Sequence, residues 1–320
     1  MSRSPPLPPE ARRILKGDRH ALAVAISAVE NHDPSVVATL RALYPRTGRS
    51  RVIGVTGPLG VGKSSLINGL LALLRRQGHR VGVIAVDPSS PFSGGSVLGD
   101  RIRIERTPGD EGVFFRSMGS RGHAGGVAAA TREVVRLLEA FGMDIVLIET
   151  VGSGQVDVEV REIATTSVVV LVPHLGDEVQ TLKAGLFEIA DVFCINKADL
   201  PGADEAAKDL AELAGLGASR DGWRPAIVAT STVAGSGLAD LWAAIEAHEA
   251  FLDSQGLRAR AERQRIAEEV VGLVRDRVEA ELLGAVEADR RLAGLIDRVV
   301  AREIDPHTAA DRLYAARRRG

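Results

Sequence analysis

The sequence predicts an α/β fold: a mostly parallel sheet flanked by helices, with helical extensions at the N- and C-terminal ends. Three observations carry this. Short β-branched runs alternate with longer amphipathic stretches after residue 51, the order of strand–helix–strand units. The runs are continuously apolar, as strands buried on both faces are. A glycine-rich segment joins the first run to the first amphipathic stretch. The length of 320 residues exceeds the roughly 150 of an average domain. The expected division is 1–45 for an N-terminal tail and helical extension, 46–250 for the α/β domain, and 251–320 for a C-terminal helical region.

Residues 1–10 are Pro-rich and predict a disordered tail. Residues 11–45 read as helical, with Ile14, Leu22, Ile26, Val29, Leu40 and Leu43 near helical spacing, until Pro45 and Gly48 break the pattern. Strands are expected at Val52–Val55, Val81–Val86, Ile145–Ile148, Val168–Val172, Val192–Ile195 and Ile227–Ala229, with helices at 64–77 and 127–141 between them. Asp18 and Asp305 read as helix caps. After Trp242 the strands stop, and 257–300 carries a helical apolar stripe, including Val270, Leu273, Val274 and Ile296. Such a stripe cannot bury itself alone, so it must pack on the α/β domain, on the N-terminal helices or on a second copy of the chain.

Composition excludes several classes. Lys plus Arg is 40 against 42 Asp plus Glu, a net charge of −2, which lacks the basic surplus of a nucleic-acid-coating protein. Aromatics at 3% leave few stacking platforms for single strands. One cysteine, Cys194, can make neither an intrachain disulfide nor a thiolate metal cluster. No run of about 18 uncharged apolar residues predicts a membrane span, and MSRSPPLPPEARR has no apolar signal region, so the expectation is a cytoplasmic protein with no membrane or nucleic-acid partner.

Gly57-Pro58-Leu59-Gly60-Val61-Gly62-Lys63-Ser64 matches G-x-x-x-x-G-K-[ST], with a strand before it and a helix from Ser64 after it. Glycines let backbone N–H groups turn inward around a triphosphate, and the helix N-terminus adds positive potential. Lys63 is expected on the β- and γ-phosphates and Ser64 on Mg²⁺, with Ser65 completing the nucleotide contacts. The fold class is thereby a P-loop NTPase.

Asn196-Lys197-Ala198-Asp199 follows the strand Val192–Ile195. The Asp199 carboxylate can accept from guanine N1–H and the exocyclic amine, whereas adenine has no matching donors, so GTP is expected over ATP. Asn196 can hold the loop, the Lys197 stem can lie over the ring, and Thr230-Ser231-Thr232 is expected to close over the base with backbone N–H.

The strand Asp144–Ile148 ends in Glu149, with Gly152 three residues on. An acid here holds Mg²⁺ in nucleoside triphosphatases, and a Gly152 N–H can sense the γ-phosphate. Asp87 ends another strand and either approaches the metal or caps a turn. Asp100 either closes onto Mg²⁺ or is a solvated loop acid, and Gln155 either orients water or is a surface amide. Lys63, Asp87, Glu149 and Gly152 form the expected catalytic set, and no single general base stands out.

These residues belong to a wider pattern: Val86–Gly95, Leu98–Arg103, Phe114–Gly126, Glu149–Gln155, Gly176–Gln180, Asn196–Asp199 and Asp305–Leu313. Together with the phosphate loop they resemble the MeaB/ArgK group, G-protein chaperones of adenosylcobalamin-dependent methylmalonyl-CoA mutase, from about Ile14 to Leu313. The resemblance implies a homodimeric Mg²⁺-dependent GTPase of the SIMIBI class, slow without its partner. It implies Mg²⁺ held by Ser64, Asp87, Asp100 and Glu149, and three switch segments near Asp87–Arg103, Thr150–Gln155 and Pro173–Lys183. It further implies gating of cofactor loading on an acyl-CoA mutase and its protection or reactivation, with adenosylcobalamin only on that partner. The helices after residue 250 would supply the dimer contact. Ser153, His174 and Leu175 depart from the group's pattern, as does Thr232, where the group has Ala.

Two other readings use the same phosphate loop. A small-molecule kinase needs an acceptor pocket with a base, which the sequence does not display. A GTPase for metal insertion needs a His/Cys cluster, and the seven histidines are scattered. Asp18-Arg19-His20 and Asp305-Pro306-His307 each lack the glycine of a cobalamin-ligating segment and read as helix starts instead.

Overall fold

A computed structural model describes residues 6–87, 110–119, 126–150, 161–173, 186–216, 221–288 and 290–317. It divides into two compact units, Met1–Gln255 and Gly256–Gly320.

The first unit opens with α1 (Pro9–Leu15), α2 (Arg19–Glu30) and α3 (Val37–Leu43). Asp18 caps α2, its Oδ1 accepting from the N–H groups of His20 and Ala21, both at 3.0 Å. Seven strands follow: β1 (Arg51–Thr56), β2 (Val81–Asp87), β3 (Val113–Gly119), β4 (Ile145–Thr150), β5 (Thr166–Leu171), β6 (Val192–Ile195) and β7 (Ala226–Ala229). Between them run α4 (Lys63–Arg76), α5 (Gly126–Phe141), the single turn α6 (Leu186–Ile189) and α7 (Ala203–Leu216), and α8 (Leu238–Ser254) closes the unit. The sheet order is β3-β2-β4-β1-β5-β6-β7 and every pairing is parallel. From β1 the chain first builds the β2, β3, β4 side and then crosses to β5. β1 therefore marks the reversal of strand order, where open parallel sheets bind ligands at their carboxyl ends.

Alternation along the strands feeds two layers. Ile53 and Val55 pack with Leu66, Leu70 and Leu74 of α4 and with Leu241 and Ile245 of α8. Val52, Val146 and Ile148 pack on the opposite face with Leu138 of α5 and Leu22 and Ile26 of α2. The N-terminal helices thus cover the sheet face that α5 alone leaves open. Cys194 is fully buried in the α4–α8 layer, where burial pushes its thiol up to about 12 and it packs as part of the core.

β3 is the strand that the apolar-run criterion does not find. It is an edge strand with half-buried residues and a central arginine. Arg116 pairs with Glu30 and contacts Ser27 Oγ at 3.0 Å, while Arg19 donates to the carbonyls of Glu111 (3.2 Å) and Val113 (2.6 Å). A strand held by charged groups of α2 has no reason to read as an apolar run.

The second unit contains α9 (Leu257–Ala288), α10 (Arg290–Val300) and α11 (Pro306–Arg317). Asp305 caps α11 by accepting from the Thr308 N–H at 3.0 Å. Val270, Val271, Leu273 and Val274 of α9 are exposed within the chain, by 54% to 67%. Among the described residues no helix is long and apolar enough to cross a membrane.

Candidate nucleotide site

The loops that leave β1, β6 and β7 meet at the carboxyl end of the sheet. The first, Gly57 to Gly62, passes so close to β5 that a Cβ on Gly57 would lie 2.2 Å from the Val170 carbonyl oxygen, and Gly57 has φ +140°. Gly62 has φ +93°, and its Cβ would lie 2.5 Å from Asn196 Nδ2. Both positions exclude side chains, and the second does so because the loop after β6 presses on the phosphate loop. Gly62 then caps α4, whose first residue is Lys63.

Lys63 is buried, and its Nζ donates to the carbonyls of Gly57 (2.7 Å) and Pro58 (2.8 Å). Ser64 Oγ donates to Glu149 Oε1 at 2.5 Å. β4 is the neighbour of β1, with Val55 in register with Glu149, so the two expected metal-side groups come together. Hydroxyl and carboxylate oxygens are the hard donors that Mg²⁺ takes. Leu59 and Ser65 are exposed, and Gly60 and Val61 supply the carbonyls that the next loop grips. Asp87 ends β2 beside β4, and its side chain lies outside the described set, as do Asp100, Gly152, Ser153, Gln155, His174 and Leu175.

The loop after β6 is tied down on both sides. Asn196 is buried, donates from Nδ2 to the Val61 carbonyl (2.9 Å) and accepts at Oδ1 from Thr230 Oγ1 (3.2 Å). Lys197 adopts a left-handed backbone, φ 58°, and its Nζ donates to the Gly60 carbonyl at 2.8 Å. Asp199 is exposed, and one carboxylate oxygen accepts from Ser231 Oγ at 2.5 Å. Ser231 therefore contributes a hydroxyl that fixes the acid. Its backbone N–H is spent on the Ser236 carbonyl (3.1 Å), and that of Thr230 on Ile195 (2.8 Å), so neither is free to reach a base. Thr232, half-buried, follows them in the loop. Thr230 is the residue that sequence reasoning underrates: its hydroxyl sets Asn196, and its carbonyl accepts from the Ala198 N–H at 2.9 Å. A buried threonine after a strand gives no motif signal by itself.

A glycine loop capping a helix, a lysine within it and a second loop clasped to it define a P-loop nucleotide-binding protein on a parallel sheet. Residues 22–287 match the family described as methylmalonyl Co-A mutase-associated GTPase MeaB, and the chain belongs to that family. It is 44% identical over 306 residues to a Pyrococcus horikoshii protein named as a GTPase, spanning 93% of this chain and 94% of that one. It is 34% identical over 310 residues to GTPase ArgK of Escherichia coli, with 94% of each chain covered. The solved structure of the LAO/AO transport system kinase is similar with a TM-score of 0.71 at 28% identity, covering 97% of this chain and 96% of that one. The chain is a GTPase.

Proposed function

We propose that this GTPase gates adenosylcobalamin loading onto an acyl-CoA mutase, methylmalonyl-CoA mutase foremost, and protects or reactivates that enzyme. The observation that carries the reading is the match of residues 22–287 to a family described by its association with methylmalonyl Co-A mutase. The cofactor stays on the mutase, and this chain works in the cytoplasm as a homodimer. The exposed Val270, Val271, Leu273 and Val274 of α9 suit the helices of 251–320 as the contact between copies.

The chemistry is positioning. The Gly57–Gly62 backbone and the α4 N-terminus cradle the phosphates, and the Lys63 ammonium moves from two neutral carbonyls onto the β- and γ-oxygens. Ser64 and Glu149 would hold Mg²⁺, with Asp87 and Asp100 as further ligands, and the bound ion would supply charge neutralisation at the phosphoryl group. Gly152 senses the γ-phosphate. Asp199, aimed by Ser231, accepts two hydrogen bonds from guanine, while Asn196 and Lys197 fix the loop against the phosphate side.

The test is co-purification of the full chain with an adenosylcobalamin-dependent mutase in GDP and in non-hydrolysable GTP, together with GTP turnover with and without the mutase. A nucleotide-sensitive complex and faster turnover are expected. No complex in either state, with unchanged turnover, overturns the proposal. The name of the similar kinase structure favours a second reading, transfer of the γ-phosphate to a small acceptor. Inorganic phosphate released in equal amount to GDP excludes it.

A further inference from the structure

At the opposite, amino end of the sheet lies a buried polar cluster that nucleotide chemistry does not use. His248 and Glu249 of α8 and Asp191, just before β6, are each at most 5% exposed, and Thr166 at the start of β5 is fully buried. His248 Nδ1 lies 2.9 Å from Thr166 Oγ1, and its Nε2 lies 3.6 Å from Asp191 Oδ1. Thr166 Oγ1 donates to Glu249 Oε1 at 2.8 Å, and Thr165 Oγ1 reaches the same oxygen at 2.6 Å. Asp191 also accepts from the Ser167 N–H at 2.8 Å and pairs with the Arg161 guanidinium at 3.4 Å. Trp223 packs its ring 5.0 Å from that of His248 and donates Nε1–H to the Asp191 carbonyl at 2.9 Å.

The proton inventory is short. The single Thr166 hydroxyl proton goes to the Glu249 carboxylate, so Thr166 Oγ1 receives from His248 Nδ1–H. A neutral imidazole with its proton on Nδ1 would turn the Nε2 lone pair toward the buried Asp191 carboxylate, a repulsive contact between buried groups. A second proton on Nε2 converts that contact into an ion pair.

We propose that His248 is an imidazolium in the native protein and acts as a pH-sensitive pin, fastening the last turns of α8 to the amino edge of the sheet and releasing them as pH rises. The described groups facing it are Asp191 and Arg161 before β6 and β5, Thr166 on β5, Trp223 before β7 and Glu249 on α8 itself. α8 ends at Ser254, and the second unit begins at Gly256.

The sign follows from linkage. A histidine held charged in the folded state contributes stability that is complete below its unfolded titration and is lost as pH climbs through the folded one. The test is a titration of ¹³C-histidine-labelled full-length protein by NMR, with the His248 signal assigned by its loss in His248→Gln. The expected midpoint lies at least about one pH unit above that of a histidine in an unfolded peptide. Asp191→Asn should lower it by a similar amount. A His248 midpoint at or below the unfolded-peptide value overturns the proposal. Thermal melting of wild type and His248→Gln between pH 6 and 9 gives a second readout that needs no Asp191 variant. Wild type should lose more of its melting temperature across that range, and parallel curves overturn the proposal.

Discussion

The two edges of the sheet are polar in different ways. At the carboxyl edge the cations and Asn196 donate to neutral backbone carbonyls, Lys63 to Gly57 and Pro58, Asn196 to Val61, Lys197 to Gly60, beside the hydroxyl–carboxylate pairs Ser64–Glu149 and Ser231–Asp199. At the amino edge charged side chains satisfy one another: Arg75 with Asp110, and Arg161 and His248 with Asp191. A cation on a neutral carbonyl leaves readily for a phosphate, because the carbonyl was only a modest partner. A permanent cation such as Arg161 in a buried ion pair does not leave, because it would strand its carboxylate, whereas His248 gives up its hold only by losing its proton. The carboxyl edge is built to exchange partners and the amino edge to keep them.

The largest effect that separates the edges is Lys63→Ala. It should lower guanine-nucleotide affinity by about 100-fold or more, read by calorimetry, with the far-ultraviolet circular dichroism of the folded chain retained. Lost secondary structure would mean that Lys63 is a structural tether like those at the amino edge. Next comes Asp191→Ala, which removes the carboxylate that Arg161, His248 and the Ser167 N–H all meet. Breaking a buried pair by removing one partner costs about 3–5 kcal/mol, so denaturant midpoints should fall steeply. Protein that remains folded should keep its nucleotide affinity. Affinity falling in step with stability would show that the two edges are one device.

Asp199→Asn tests the exchanging edge more finely. The carboxylate is exposed and already accepts from Ser231, so the chain should fold as before while its preference for GTP over ATP drops by about 10-fold or more, since a site built on a hydrogen bond discriminates through it. Competition binding with the two triphosphates measures this. An unchanged preference would move base reading away from this acid.

What could be read from the sequence follows the same division. Five of the seven strands announce themselves as apolar runs because both faces are covered, the half-buried edge strand β7 because its run Ile227–Ala229 is apolar, and the phosphate loop because Gly57 and Gly62 are sterically compelled by Val170 and Asn196. β3 was invisible because its sides are met by Arg19 and by the Arg116–Glu30 pair. The amino-edge cluster was invisible for a related reason: Arg161, Asp191, Thr166 and His248 are spread over almost ninety positions and share no spacing. Motifs exist where one short loop must wrap a ligand. Side chains that satisfy each other across a fold leave no local trace.

The smallest effect concerns the solvent-facing part of the amino edge. Asp18 caps α2 next to Arg19, which grips the carbonyls flanking the start of β3. The Ala21 N–H first and then the Arg13 guanidinium hold the Asp18 carboxyl below the ordinary carboxylate range. A depressed folded value means that this acid stabilises the fold above its unfolded titration, near pH 3.9, and that the contribution drains as pH falls through the folded value. Asp18→Ala should lower the melting temperature slightly at pH 7 and flatten its acid dependence. Asp18→Asn keeps a cap acceptor, so it should restore most of the neutral-pH stability without restoring the acid dependence. If Asp18→Asn melts like Asp18→Ala at pH 7, the charge rather than the cap carries the effect. The exposed part of the edge would then work by ion pairing, as its buried part does.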